Sequence, residues 1–537
     1  MTARTFTGDG AGSPAGPASE VVSDHDAALV AAYELLEITQ STAGAPDLTA
    51  QLAEARERGW HHVEFILHDC RLLAAIESGE AVGEVVTSMA AAAEASGDGA
   101  LVATVHAVRG LYRAHEGIGT EDPDRDLARA VAMLADGAGT PLTRPGAHIA
   151  CGLAYRRLGL WQLEALMYRR AEDDLARPVR AELGRVVQLN RAVVTVNHIE
   201  ALTALACEHL EFGDRDRARR ELTRTPIPTR QAGLPPAWIA EWVVLDGLLA
   251  AVLGEPEPPT HAAVAAALDT MPHSWQRGCH LLARSIRALD TDHRGEAAMI
   301  AAEATKLLTV DDLHSLRTLA LSIAAGASGM PPMAEAYIAL LVEERSMARD
   351  RELNSALGRL RAEELALENE RLSAQVYVDS LTGLGNRLAL ERHREELRAN
   401  RTLESVAVLL LDLNRFKPVN DTYGHRAGDQ VLRRIGDLLR RSCRPTDLAV
   451  RLGGDEFVVV LNGCDHDLAR ARAELISTSV DQTDWSDLIP GSRVGVSIGT
   501  VAGSPSDIDA LLDQADKDMY ARKTALHRSR SLDQPTR

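Results

Sequence analysis

The sequence predicts a multidomain protein with an all-α helical-repeat N-terminal region (an α-solenoid), a helical linker and an α+β C-terminal domain. Its 537 residues exceed the length that one hydrophobic core usually serves. Helical segments that end in glycine recur about every forty residues in the first part. Strand-like apolar runs alternate with amphipathic helical patterns after Tyr377. These three observations define the predicted domain boundaries.

The N-terminal residues 1–24 are rich in Gly, Ser, Pro and Thr and lack the apolar core of a signal peptide, which predicts a disordered tail. The apolar run "WVVLDGLLAAVLG" is too short to cross a bilayer and contains Asp246. The 6 cysteines are scattered without a Cys-x-x-Cys pair. Together these features predict a cytoplasmic protein without membrane insertion.

The net charge of −19 argues against general binding to nucleic acid or to an anionic membrane surface. We therefore expect no nucleic-acid partner. A local basic cleft is still compatible with this composition.

Residues 25–330 read as successive helices with a recurring helix–glycine–helix pattern. Its copies end at Gly117, Gly159 and Gly254, a weaker copy ends at Gly213, and Gly295 closes another segment. A period near forty residues is typical of stacked helical hairpins. The segment "LAYRRLGLWQLEALMYRRA" resembles a tetratricopeptide repeat. The prediction is a repeat domain for sensing or for an unknown protein partner; the alternative is an irregular helical bundle.

Residues 331–376 are predicted as a linker helix because charged residues alternate with apolar ones at helical spacing. Two leucine stripes in shifted registers suggest a coiled coil with a break in its heptads. The alternative is a single solvated helix between two domains. The stripes consist of Leu353, Leu357, Leu360, Leu365, Leu372 and Val376.

The remainder alternates strand and helix patterns, with the domain predicted over 377–528 and a tail over 529–537. "SVAVLLLDL" and "RVGVSIGTVAG" predict buried strands, and "LAVRLGGDEFVVVLNG" predicts a hairpin with a Gly-Gly turn. Amphipathic helical patterns separate them, and "DIDALLDQADKDMYARK" closes the domain. This order predicts a helix-backed antiparallel sheet.

Carboxylates stand at two ends of these predicted strands. Asp412 ends the run "VLLLDL", and Asp455 and Glu456 follow the glycines of the hairpin turn. If the two strands pair, Asp412 and Asp455 meet at one edge of the sheet. A close carboxylate pair commonly holds a divalent cation, and Mg²⁺ completes its shell with substrate phosphates. The pattern therefore favours phosphoryl or nucleotidyl transfer, although either Asp alone is typical of an ordinary strand end.

The motifs "DSLTGLGNR", "LDLNRFKPVNDTYGHRAGDQVL" and "RLGGDEF" stand in this order, and together they resemble the GGDEF family of diguanylate cyclases. The resemblance implies a fold similar to the nucleotide-cyclase or polymerase palm. It implies that each domain binds one GTP and that two domains face each other as a homodimer, joined also through the linker helix. The implied products are cyclic di-GMP and two pyrophosphates.

The same resemblance assigns metal and catalytic roles. Asp412 and Asp455 would bind Mg²⁺ (or Mn²⁺) with their carboxylates, and Leu413 with its backbone carbonyl. Asp455 occupies the catalytic position, and Glu456 is the second acidic group of the turn.

Further positions match the family's substrate contacts. Asn420 and Asp429 would recognise guanine, and His425 would lie close to the substrate. The backbone would approach the triphosphate at the two glycines, and three side chains would contact the phosphates. These positions are Gly453, Gly454, Phe416, Lys417 and Lys523.

"RPTD", five residues before the first glycine of the turn, matches the family's inhibitory site for the cyclic product. Arg444 and Asp447 would bind guanine there. The alternative is an ordinary Asp-containing turn before a strand.

The sequence departs from the family pattern at Asn414, where a second Asp is common, and at Leu526 and His527, where Gly-Arg usually follows the closing lysine. Arg528 or Arg530 would have to supply the missing arginine. The departures lead us to expect either this substitution or weaker GTP binding.

These observations predict a diguanylate cyclase regulated by its helical repeats and by its product. The alternative is a catalytically weak GGDEF protein that binds GTP or cyclic di-GMP and signals through protein contacts. A scaffold role for the repeats also stays open. Hydrolysis of cyclic di-GMP would require a further domain, and we expect none because few residues follow Arg528.

Overall fold

The computed structural model describes residues 24–41, 47–112, 122–223, 234, 236–270, 274–309, 314–326, 331–399 and 403–532. The chain divides into two compact units, Met1–Leu367 and Glu368–Arg537. No helix among the described segments is long and apolar enough to cross a membrane.

The N-terminal unit is built from helices. They are α1 (Asp24–Ser41), α2 (Thr49–Glu57), α3 (His61–Ser78), α4 (Gly83–Ser96), α5 (Gly99–Leu111), α6 (Pro123–Ala135), α7 (Arg144–Arg157), α8 (Trp161–Leu175), α9 (Gly184–Glu211), α10 (Arg215–Thr223), α11 (Pro236–Leu253), α12 (Pro259–Thr270), α13 (Trp275–Asp290), α14 (Arg294–Leu307), α15 (His314–Gly326) and, as far as Leu367, α16 (Pro332–Val376).

The predicted glycine turns between helices are present at three positions. Gly159, Gly213 and Gly254 have φ values of +62°, +76° and +70° and follow α7, α9 and α11. A left-handed φ ends a helix without the steric cost that a Cβ would bring. Gly117 lies outside the described residues.

The prediction of a turn at Gly295 is wrong in detail. Gly295 lies in the first turn of α14, and the left-handed residue is Asp292, with φ +62°. Asp tolerates this conformation because its short polar side chain can bond locally.

Helix α9, with 28 residues, runs through the N-terminal unit. It packs against α1, α7 and α8, and also against α10, α11 and α15. A solenoid in its simplest form has contacts only between neighbouring repeats, whereas α9 joins helices from distant parts of the sequence. The largely helical fold is as expected, and the solenoid architecture stays a prediction.

Helix α16 is continuous for 45 residues, and part of it packs on the N-terminal unit. Leu353, Ala356 and Leu360 join the hydrophobic core that α5–α8 form. Leu357 and Leu365 are exposed. The two predicted leucine stripes therefore differ, because the first is partly covered by the chain's own helices. A coiled coil between two copies stays a prediction.

The C-terminal unit contains a four-stranded antiparallel sheet with the strand order β2-β3-β1-β4. Its elements are α17 (Arg387–Ala399), β1 (Val406–Asn414), α18 (Phe416–Tyr423), α19 (His425–Ser442), β2 (Leu448–Gly453), β3 (Glu456–Asn462), α20 (His466–Gln482), β4 (Gly495–Gly503) and α21 (Ile508–Leu532).

The central strand β1 explains the near-continuous apolar run of its sequence. Its residues from Val406 to Leu413 are all buried, because helices cover both faces of the sheet. Leu409, Leu411 and Phe457 face a core with α19 and α20, while Val408 and Val458 face a core with α17 and α21. The α+β prediction for this region is confirmed.

Candidate active site

The pairing of β1 with β3 brings the predicted acidic residues together. Asp412 lies opposite Glu456 in the register, and the Leu413 N–H donates to the Asp455 carbonyl at 3.2 Å. Asp412 is 6% exposed, Asp455 is half-buried and Glu456 is exposed. The strand end and the turn thus form one acidic edge of the sheet, as the sequence predicted.

The glycine turn requires its glycines. Gly453 and Gly454 have φ values of +151° and +54°, a region that side-chain-bearing residues rarely adopt. Both glycines are exposed, and a Cβ on either would meet no atom within 4 Å. The backbone of the turn is therefore open to a ligand.

The side chain of Arg451 stabilises this turn by hydrogen bonds, a role that the sequence did not predict. Its Nε and Nη2 donate to the Gly454 carbonyl at 3.1 and 2.8 Å, and its Nη1 lies 3.3 Å from Oδ1 of Asp379. Burial opposes ionisation of Asp379, but hydrogen bonds from Thr382 and the charge of Arg451 outweigh it and lower the pKa. The upstream motif "DSLTGLGNR" therefore supports the turn from a distance of 72 residues in sequence.

Lys523 reaches the same acidic edge from α21. Its Nζ donates to Oδ1 of Asp412 at 2.7 Å. The helix can approach this closely because β4 has a glycine beneath it: a Cβ on Gly499 would lie 2.0 Å from the Ala515 carbonyl oxygen. In this structure the predicted phosphate ligand is therefore paired with a predicted metal ligand.

The donor set fits a magnesium-type ion bound together with a substrate. Within the described ranges, no group of three or more His, Cys, Asp or Glu side chains gathers as a metal cluster. Mg²⁺ needs only one or two protein carboxylates when phosphates complete its shell. Asp412 already holds a cation, the Lys523 ammonium, which indicates that this position favours positive charge.

The residues predicted to recognise guanine lie on two successive helices. Asn420 is in α18 and Asp429 is in α19, and both are half-buried. A Cβ on Gly428 would lie 1.9 Å from Oδ1 of Asn420, so this glycine leaves room for the amide. The Gly424 N–H donates to the Asn420 carbonyl at 2.9 Å and closes the turn between the helices.

The other predicted substrate contacts surround the start of these two helices. Phe416 is buried in the core, while Lys417 and His425 are exposed. Arg415, directly before α18, has a left-handed φ of +60°. Such backbone strain in a residue with a side chain is common near functional sites.

Asp447 of the predicted inhibitory motif already has structural partners. Its carboxylate accepts from the Arg444 N–H at 2.9 Å and from the Asn462 N–H at 3.2 Å. The Arg444 side chain is exposed. The Asp-containing turn is therefore present in this structure, and the inhibitory role stays a prediction.

Residues 376–529 match the family described as "Diguanylate cyclase, GGDEF domain". This part of the chain is a GGDEF domain.

Two curated relatives are similar to part of this chain. The chain is 38% identical over 163 residues to diguanylate cyclase DgcS of Shewanella oneidensis. This alignment covers 30% of this chain and 54% of the relative. It is 41% identical over 173 residues to diguanylate cyclase TpbB of Pseudomonas aeruginosa, which covers 31% of this chain and 39% of the relative. The alignments thus span about half or less of these relatives.

A solved structure also resembles this region. The coiled coil and GGDEF domain of DgcB from Caulobacter crescentus, in complex with c-di-GMP, is 26% identical. The similarity covers 32% of this chain and 94% of that chain, with a TM-score of 0.31.

One of the sequence departures has a local partner in the GGDEF domain. Oδ1 of Asn414 accepts from the Ser497 hydroxyl at 2.8 Å, which ties the end of β1 to β4. The other departures, Leu526 and His527, and the arginines considered as replacements have side chains outside the described residues.

Proposed function

We propose that this protein is a diguanylate cyclase, which joins two GTP molecules into cyclic di-GMP and releases two pyrophosphates. The observation that carries the proposal is the β1–β3 pairing, which sets Asp412 against the glycine turn that bears Asp455 and Glu456. The GGDEF match and the similarity of part of this chain to curated diguanylate cyclases support it.

The reaction forms two P–O bonds and breaks two, and it releases the protons of both attacking hydroxyls. Each ribose 3′-oxygen bonds to the α-phosphorus of the other GTP, the bond from that phosphorus to the β-phosphate oxygen breaks, and the hydroxyl proton leaves. Each GGDEF domain would supply one GTP, so turnover requires two copies facing each other. The linker helix α16 would assist this homodimer.

The acidic edge would hold the divalent cation. Asp412 and Asp455 would contribute carboxylates, and Leu413 its backbone carbonyl, to Mg²⁺ or Mn²⁺. The bound ion would offset phosphate charge and favour ionisation of the attacking hydroxyl. Glu456, exposed beside Asp455, would add a contact to the ion or to its water.

The remaining residues would orient the nucleotide. Asp429 can accept hydrogen bonds from the N1–H and N2–H₂ groups of guanine, a donor pattern that adenine lacks, and Asn420 would assist it. The exposed turn of Gly453 and Gly454 would approach the triphosphate. The negative charge of the triphosphate would be met by Lys417, by Lys523 and by the N-terminal end of α18, which begins at Phe416. His425 would lie nearby.

Two levels of control belong to this proposal. Product bound at Arg444 and Asp447 would inhibit turnover, and the helical N-terminal unit, through a partner or signal, would control association of the GGDEF domains. The exposed guanidinium of Arg444 supports the first of these. The packing of Leu353 and Leu360 against the N-terminal helices supports the second, because the linker helix is tied to that unit.

The decisive experiment is product analysis. Full-length protein incubated with GTP and Mg²⁺ is expected to form cyclic di-GMP, measured by chromatography and mass spectrometry. Asp455→Ala should abolish it, whereas Asp467→Ala, a fully exposed carboxylate outside the site, should not. Absence of product from wild-type dimers, or full activity in Asp455→Ala, would contradict the proposal.

One observation favours a second candidate, a receptor for GTP or cyclic di-GMP that does not turn over. Lys523 neutralises Asp412, which a metal ion would have to share or take over. Nucleotide binding without product across a wide range of Mg²⁺ concentrations would support this receptor and exclude the cyclase.

A further inference from the structure

A cavity of about 110 Å³ lies inside the N-terminal unit, far in sequence from the GGDEF domain. Helices α1, α3, α5, α7, α9 and α11 contribute its walls. We call it the inner cavity. An engineered apolar cavity of about 150 Å³ binds benzene, so the inner cavity has the scale of a small ring or short alkyl group.

A carboxylate faces the inner cavity without a partner. Asp69 of α3 lines it, and among the described residues no hydrogen bond or ion pair reaches its side chain. Burial raises the pKa of Asp69 to about 6. Asp69 is half-buried, and removing an unpaired carboxylate even partly from water is costly. A ligand cation would remove that cost.

The rest of the wall is apolar and aromatic, with few polar groups. Phe65, Tyr112 and Trp238 supply aromatic surface. Asn190, which is 7% exposed, adds a polar side chain to this wall. An apolar wall with a few convergent polar groups is the usual composition of a small-molecule site.

A second, wider space adjoins the inner cavity. This vestibule, of about 430 Å³, shares Leu153, Val193 and Trp238 with the inner cavity. It also carries Glu241, whose pKa burial raises to about 7, with nearby Glu200 adding to the rise. The charge in this space is therefore predominantly acidic, since Arg156 is already paired with Glu164 and Glu200.

We propose that the inner cavity binds a small organic cation, an amine carried on an apolar ring or chain, with its ammonium against Asp69. The acidic groups disfavour an anion, and a neutral ligand would leave Asp69 unpaired. Aromatic walls also attract a cation through their negative faces. The enclosure by six helices favours a small molecule over a protein segment.

The test compares three ligands of similar size: benzylamine, benzyl alcohol and benzoate. Binding to the full-length protein is measured by ligand-observed NMR and by the ligand-induced rise in Tm. We expect the amine to bind at least about tenfold more tightly than the alcohol, since a charge-assisted hydrogen bond commonly contributes that factor. Benzoate should bind least.

Two variants make the test specific. Asp69→Asn keeps the shape and should remove the preference for the amine while leaving the Tm equal or higher, because it removes an unpaired charge that is partly withdrawn from water. Gly146→Leu should block all three ligands, because Gly146 lines the cavity and a Cβ there would meet no atom within 4 Å.

Several outcomes would overturn the proposal. They are equal binding of amine and alcohol, an amine preference that survives Asp69→Asn, and a lower Tm in Asp69→Asn, which would indicate a structural role for the carboxylate. Failure of amine binding would leave the cyclase proposal intact, because product formation by the GGDEF domain is assayed without the amine.

Discussion

The ammonium of Lys523 lies 2.7 Å from Oδ1 of Asp412, so a cation already pairs with this buried carboxylate near the end of β1. The two residues are 111 positions apart in sequence. Because a divalent ion and this ammonium would share one carboxylate, metal binding and the position of α21 are linked.

Lys523→Gln is therefore expected to have two opposite effects. The KM for GTP should rise about tenfold, because a charge-assisted contact to phosphate is lost. The Mg²⁺ concentration for half-maximal activity should fall, because the competing ammonium is gone. Steady-state kinetics of cyclic di-GMP formation measure both. Lys517→Gln, exposed on the same helix, is the control; a Mg²⁺ requirement that rises in Lys523→Gln would contradict the competition.

Gly499 permits the close packing of α21 on β4. A Cβ there would lie 2.0 Å from the Ala515 carbonyl oxygen and 2.4 Å from the Met519 amide nitrogen. Gly499→Ala should therefore weaken the docking of α21 by about 1–3 kcal/mol. Hydrogen exchange in peptides from α21 should accelerate, and activity should fall as Lys523 withdraws.

The matched control for this substitution is Gly495→Ala on the same strand. Its Cβ would meet no atom closer than 3.6 Å, an ordinary contact. Equal exchange rates in the two variants would show that α21 does not depend on Gly499.

The linker helix is held to the N-terminal unit by buried ion pairs. Arg349 Nε lies 2.9 Å from Oε1 of Glu208, which is 3% exposed. Burial raises the pKa of Glu208, and Arg349 and Arg345 oppose the rise. Arg349→Ala would leave this carboxylate buried with weaker compensation and should destabilise the contact by about 3 kcal/mol or more.

Hydrogen exchange across α16 measures this prediction, and Arg351→Ala, at an exposed position of the same helix, is the control. Accelerated exchange is expected only in Arg349→Ala. If both variants exchange like the wild type, the pair does not hold α16.

Arg444 and Asp447 can be separated by substitution. Arg444→Ala should relieve product inhibition, raising the inhibition constant for cyclic di-GMP by about tenfold or more, with little change in Tm because its side chain is exposed. Asp447→Ala should also lower the Tm, because its carboxylate accepts from the Arg444 and Asn462 N–H groups. If cyclic di-GMP inhibits Arg444→Ala as strongly as the wild type, the motif has no inhibitory role and serves only as a turn.

The raised pKa of Asp69 predicts that the stability of the protein depends on pH. Burial raises its pKa from 3.8 to about 6, so the folded state holds this proton more tightly than the unfolded state. The free energy of unfolding that this tighter proton binding adds is fully present below about pH 4, and it is lost as the pH rises through 6. The advantage of Asp69→Asn over the wild type should therefore grow from pH 4 to 7, by at most about 3 kcal/mol.

Urea unfolding of both variants between pH 4 and 8 measures this difference. The other titratable groups on the cavity wall are Tyr33, Glu37 and Tyr112, and they are present in both variants. Tyr33, whose pKa burial raises further, stays neutral in this range. A difference independent of pH would show that Asp69 does not titrate as described.

Local sequence patterns predicted the two parts of the acidic edge in the GGDEF domain. An apolar run up to Asp412 predicts a buried strand, and a Gly-Gly turn before Asp455 predicts a hairpin. Their pairing was a condition of the prediction, and the β1–β3 register supplies it. Arg451 was missed, because its bonds to Gly454 and Asp379 depend on a turn and a distant motif meeting in space.

The linker helix shows where such patterns are insufficient. Leu353, Leu357 and Leu360 belong to the same predicted leucine stripe. In the structure, Leu353 and Leu360 pack in a core, whereas Leu357 is exposed. Helical periodicity indicates which residues share a stripe, but not which helices cover it.

The sequence by itself determined the alternation of strands and helices, the glycine turn and the chemical types at its edge, because backbone preference and apolar period act over short distances. Only the tertiary structure decided that Lys523 pairs with Asp412 and that Asp69 faces a cavity without a partner. Burial and pairing are properties of residues brought together by packing, and they depend on atoms far away in the chain.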